Sequence, residues 1–173
     1  MTLALSDPND LLHWRDAPVS DVIAYLVSHF HEVHREQLPA LIALSRKVER
    51  VHAGHPMCPV GLADALEALY QELESHMLKE EQVLFPLLAR GLSEQLRAPV
   101  SVMRMEHAEQ DKAVAALESI TGNGLLPDDA CGSWRRLYND LDAFRIDLVR
   151  HIRLENEVLF DPISYAVEGA RHA

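Results

Sequence analysis

Six residues of this 173-residue chain pair metal-binding side chains with a spacing that would gather them: His31, His76, Glu80, His107, His151 and Glu155. His76 and Glu80 stand four apart, as do His151 and Glu155, so on a helix each pair shares one face about a turn apart and reaches one point. A single His-x-x-x-Glu is ordinarily a surface pair, but two at the same phase of matched apolar stripes are not. Buried without partners, such groups would cost on the order of several kcal/mol, a cost that bound cations remove. Four imidazoles and two carboxylates are too many for one tetrahedral zinc, and no cysteine accompanies them, which argues against a structural zinc site. The set suits two borderline ions such as iron or manganese. Glutamates from opposite sides could each bridge two ions roughly 3.5 to 4 Å apart, with the histidines in terminal positions.

Carrying these residues takes four helices, and the sequence predicts four. Only 7 residues are glycine, and long stretches of Leu, Ala, Glu, Arg and Met argue for an all-α chain. The first helix is expected over 19–52, with Ser20 as N-cap and a kink at Pro39; the others are expected over 61–89, 99–121 and 129–162. Ala53-Gly54-His55-Pro56, Gly91, Gly122-Asn123-Gly124 and Pro127 mark the turns. Leu62, Leu66, Leu69, Leu73, His76, Glu80, Val83 and Leu87 form the inward stripe of the second helix. The fourth repeats it with Leu137, Leu141, Phe144, Leu148, His151, Glu155 and Val158. His31 is in register with Ile23, Val27 and Leu38, and His107 with Val100, Met103, Val114 and Leu117.

The chain reads as an internal duplication. His76–Phe85 parallels His151–Phe160 at an offset of 75, and His31 parallels His107 at an offset of 76. Antiparallel helices place residues equidistant from a turn side by side. The midpoints between successive histidines fall at Ala53-Gly54, Gly91-Leu92 and Asp129, all in predicted turns. The expected architecture is one domain over 1–173, an up-down-up-down four-helix bundle with four histidines at one level.

Other candidates carry less. His34, one turn after His31, is read as a surface group or an outer neighbour of the site, the surface favoured over a ligand role. Asp111, four after His107, lies where a further ligand could reach in, with a solvated role favoured. Glu72 and Glu106 are either solvated charges or a polar route to the metals. His13, His29, His52, His55 and His172 are expected in solvent or loops, Cys58 and Cys131 as inert loop thiols, and Met77, Met103 and Met105 as core. A net charge of −11 disfavours nucleic acid and anionic membranes. No apolar run approaches the roughly 20 residues of a membrane span, and the first residues lack a signal-peptide layout, so a cytoplasmic protein is expected.

From about Trp14 to Pro162 the sequence resembles the repair-of-iron-centres family, hemerythrin-like di-iron proteins linked to recovery of iron-sulfur clusters after nitrosative or oxidative stress. The resemblance is carried by FHEVHREQLP (30–39), KVERVHA (47–53), SHMLKEEQVLFP (75–86), SVMRMEH (101–107) and HIRLENEVLF (151–160). It implies a hemerythrin-like fold and a pair of iron ions, oxo- or hydroxo-bridged, on the six residues already derived, with Glu80 and Glu155 as carboxylate bridges. Glu72 and Glu106 would be its acidic path to the iron. Oxygen-carrying hemerythrins have another histidine where this chain has Asp111, which disfavours reversible oxygen carriage. Long members of the repair family begin with a small domain bearing adjacent cysteines; with thirteen residues ahead of Trp14, that domain is expected to be absent here. The implied function is iron supply to damaged iron-sulfur proteins. Nitric oxide or dioxygen binding is the alternative, and a di-iron oxidase, peroxidase or nitric oxide reductase is a third class, for which the sequence offers no evident substrate pocket.

Overall fold

A computed structural model of the chain describes residues 9–161; Pro162 and His172 lie outside them. Among the described residues there are helices and turns and no strand. A short α1 (Asn9–Arg15) precedes four long helices: α2 over 19–51, α3 over 62–89, α4 (Ser93–Ile120) and α5 over 132–160. The turns fall where glycines supply left-handed backbone: Gly61 (φ 89°) opens α3, and Gly91 (φ 68°) turns the chain into α4. Helix α2 packs against α3 and α5, and α3 against α4, closing the up-down-up-down bundle. Side chains bridge α4 and α5, with Arg104 to Asp161 at 2.8 Å and Arg145 to Glu118 at 3.7 Å.

Three starts differ from expectation. Pro18, not Ser20, precedes α2, and the Ser20 hydroxyl bonds Asp21 at 3.2 Å. Helix α4 begins at Ser93 and runs through Pro99, because a proline this near the start forfeits one backbone hydrogen bond while Leu96 and Val100 on either side are buried. Helix α5 begins at Gly132, after Cys131.

The larger departure is in register. Helices α2, α3 and α5 each contain a π-helical turn, at Val27–His31, Glu80–Leu84 and Glu155–Phe160, where one extra residue is wound into the helix. The inward step across each is five residues: Leu26 to His31, Glu80 to Phe85, Glu155 to Phe160, all of them buried. The predicted stripe therefore slips by one on the far side of each turn. Val22 and Leu26 are buried in place of Ile23 and Val27, Leu84 and Leu88 in place of Val83 and Leu87, and Leu159 and Phe160 in place of Val158. Helix α4 has no such turn, and Val100, Met103, His107 and Leu117 keep the expected register.

Two apolar cores result. One holds Leu38, Leu66, Leu73, Leu117, Trp134 and Phe144 toward the long-loop end. The other holds Leu26, Phe30, Phe85, Met103, Leu154 and Phe160, with Trp14 of α1 laid against it. Met77 and Met103 are core as expected, whereas Met105 is 67% exposed on the outer face of α4. No helix among the described residues is long and apolar enough to cross a membrane.

Candidate metal centre

Between the two cores lies a polar layer that the π turns orient. His31 closes the first turn, and Glu80 and Glu155 open the other two. His76 and His151 stand one α-helical turn before their glutamates, and His107 comes from the regular α4. All six side chains are at most 3% exposed.

They assemble as two overlapping sets, His31, Glu80, His151, Glu155 and His76, Glu80, His107, Glu155, each with its ligand atoms within 4.8 Å of one another. The glutamates belong to both. Glu80 lies 3.4 Å through Oε2 from His31 Nε2 and 3.5 Å through Oε1 from His76 Nε2. Glu155 places Oε1 2.9 Å from His151 and Oε2 3.0 Å from His107. Each carboxylate thus gives one oxygen to each set, the disposition of a carboxylate that bridges two cations.

The outer nitrogens fix the inner ones. His31 Nδ1 donates to Glu81 Oε1 (2.7 Å), His76 Nδ1 to Glu106 Oε2 (2.9 Å) and His107 Nδ1 to Asn156 Oδ1 (3.2 Å). These partners accept, so each ring, when neutral, carries its proton on Nδ1 and turns the Nε2 lone pair inward. His76 and His107 then meet Nε2 to Nε2 at 3.2 Å, lone pair against lone pair. His31 and His151 meet at the same 3.2 Å. Two nitrogens bound to one ion at about 2.1 Å stand roughly 3 Å apart, so a shared cation turns this repulsion into two bonds. Both Glu80 oxygens and Glu155 Oε2 are buried without a hydrogen-bond partner. The residues fit a pair of metal ions.

Protons feel the same crowding. Burial pulls His31 down, but Glu155 and Glu80 outweigh it and push its pKa up to about 10. Burial and the charge of Glu155 push Glu80 well above the usual carboxylate range. Burial would raise Glu155 too, yet His151, His107 and His31 hold it well below that range. Burial lowers His76 to about 4 and His34 to about 3. A cation entering the centre must therefore displace a proton from His31.

Around the six, Glu106 touches the centre through His76 and also pairs with Lys79. Glu72 is exposed and shares with Glu106, Ser75 and Gln110 the lining of an open cleft between α3 and α4. Asp111 is exposed and belongs to neither set. His34 is a correction: it is completely buried, its ring 5.4 Å from that of His151. His13 and His29 are exposed; His52 and His55 pack on Trp134 at 4.8 and 5.3 Å. Cys58 and Cys131 are free thiols. Sequence reasoning passed over Glu81 and Asn156, although the duplication pairs them: each follows its bridging glutamate and supports a histidine of another helix. Partial burial would raise the Glu81 carboxyl, yet Arg35, at 2.9 Å, and His31 together outweigh it and hold it low.

A four-helix bundle that gathers overlapping histidine-carboxylate sets at mid-height is a cation-binding helical domain. The model of that class, the hemerythrin HHE cation binding domain, matches residues 22–163. Over 155 residues the chain is 46% identical to the iron-sulfur cluster repair protein YtfE of Pectobacterium atrosepticum, which covers 90% of this chain and 70% of that protein. It is 47% identical over 147 residues to the protein of the same name from Salmonella schwarzengrund (85% and 67%), and 42% over 155 to that of Yersinia pseudotuberculosis (90% and 70%). The chain belongs to the hemerythrin HHE family, among the iron-sulfur cluster repair proteins.

Proposed function

We propose that this chain holds two iron ions, one on His31 and His151 and one on His76 and His107, bridged by Glu80 and Glu155, and supplies iron to damaged iron-sulfur proteins of the cytoplasm. The observation that carries the two-ion reading is the division of both carboxylates between the two sets. The repair role rests on the relatives named for it. When bound, the iron pair supplies a labile, redox-active store. The protein's own part is to hold three of the four Nε2 lone pairs inward through Glu81, Glu106 and Asn156, to keep the centre between two dry cores, and to offer an exit. Glu106 bonds His76 on one side and lines the open cleft with Glu72 on the other, which supports the acidic path that the resemblance implies.

Elemental analysis with optical spectra of the purified protein is expected to give two irons per chain. Mixing it with an apo cluster protein is expected to transfer them. A centre that survives excess chelator and never transfers iron would sink the repair reading.

One observation supports a second reading, nitric oxide or dioxygen binding. Each set offers two imidazoles and two carboxylate oxygens, and Asp111 adds nothing, so octahedral iron keeps positions for a small ligand. Fast, tight nitric oxide uptake by the reduced protein without iron transfer would favour it.

A further inference from the structure

Of the four histidines at the centre, His151 is the one whose outer nitrogen lacks an acceptor. Its Nδ1 is buried without a hydrogen-bond partner, whereas Glu81, Glu106 and Asn156 serve the other three. The duplication explains the gap. At the offset of 76 the counterpart of Glu106 is Phe30, which stacks on the His151 ring at 5.3 Å with 4° between planes and accepts no ring proton.

One turn beyond Phe30 sits His34, completely buried, with Nε2 also unpartnered. The two rings are neighbours, 5.4 Å apart between centroids, and in this structure neither of these nitrogens bonds the other. The protons can be assigned from the outside in. Gln37 Nε2 donates to Asp147 Oδ2 at 2.9 Å, which leaves Gln37 Oε1 to accept from His34 Nδ1 at 3.1 Å. Neutral His34 then carries its lone pair on Nε2. His151 turns Nε2 to Glu155 and the centre, so as a ligand it carries its proton on Nδ1. A buried donor on one ring and a buried acceptor on its neighbour are each costly alone, and a turn of either ring that paired them would remove both costs.

We propose that His34 is the positioning residue of His151: it accepts that ligand's Nδ1 proton and ties it through Gln37 to the Asp147 carboxylate. Each ion would then be held by one histidine backed by a carboxylate (His31 by Glu81, His76 by Glu106) and one backed by a neutral acceptor (His151 by His34, His107 by Asn156).

The inference rests on the two-ion reading, and its test separates the two. Wild-type protein that takes up fewer than two irons fails that reading, whatever His34 does. Given two, chelator competition on His34→Leu is expected to show one iron held tenfold to a hundredfold more weakly and the other unchanged. His34→Gln, which restores an acceptor, is expected to recover most of the loss. Equal weakening of both ions, or none, would overturn the proposal. Should His34→Leu not fold, Gln37→Leu leaves the buried ring in place and is expected to weaken the same single ion; unchanged affinity would overturn it. In the metal-free protein, nitrogen NMR of the imidazoles is expected to find His34 protonated on Nδ1, and protonation on Nε2 would overturn the assignment.

Discussion

Glu80 and Glu155 are the residues on which both halves of the centre depend, because each gives one oxygen to either set. Replacing either by alanine is expected to cost both ions, with iron content falling below one per chain. His107→Ala leaves the His31, Glu80, His151, Glu155 set whole and is expected to leave about one. Elemental analysis of the three variants checks the ordering, and equal losses in all three would contradict shared carboxylates. The gathering of these six side chains was legible in the sequence because metal-binding residue types recur there at helical spacing in two copies. Their supports were harder to see. Glu81 and Asn156 look like ordinary surface charge and amide until the duplication aligns them behind their glutamates. His34 was misplaced because three residues from His31 on a helix means nearby without saying inward or outward.

At the scale of the element, the π turns explain both what could be read and what could not. The stripes of α3 and α5 were read correctly as far as Glu80 and Glu155, since the α period holds to that point. Beyond it an extra residue advances the phase, and neither composition nor spacing signals where a helix absorbs one; Val83, expected inside, is 51% exposed. A π turn inside an α-helix is rare and is found frequently at functional sites. Iron bound by His31, Glu80 and Glu155 would tie down all three turns. Hydrogen exchange is therefore expected to slow most on iron loading at 27–31, 80–84 and 155–160, and least along the regular α4 around His107. Uniform protection along all four long helices would show that the turns are as rigid without metal as with it.

Over the whole molecule, a buried ionisable layer between two apolar cores makes stability depend on pH. In the metal-free protein, burial holds His34 at about 3 and His76 at about 4, against an ordinary 6.5. Below pH 6.5 the unfolded chain takes up protons that the native state refuses, so the fold weakens as pH falls from about 6.5 toward 4. Glu155, held low by His151, His107 and His31 against the effect of burial, extends that loss below its ordinary 4.5. On the alkaline side the sign reverses. His31 keeps a proton in the native state up to about pH 10 that an unfolded histidine releases near 6.5, so the fold weakens again as pH rises through that window. Glu80, held protonated by burial and by Glu155, acts in the same sense from 4.5 upward. The melting temperature of the metal-free protein is thus expected to peak near neutrality and fall on both sides. Iron bound as proposed would displace the His31 proton and bind only the native state, so the loaded protein should melt higher and lose the alkaline decline, while acid, competing for the same nitrogens, should steepen the other side. Thermal melts of both forms across pH 4 to 10 check this; an alkaline decline that persists in the iron-loaded protein would mean that His31 keeps its proton and binds no metal.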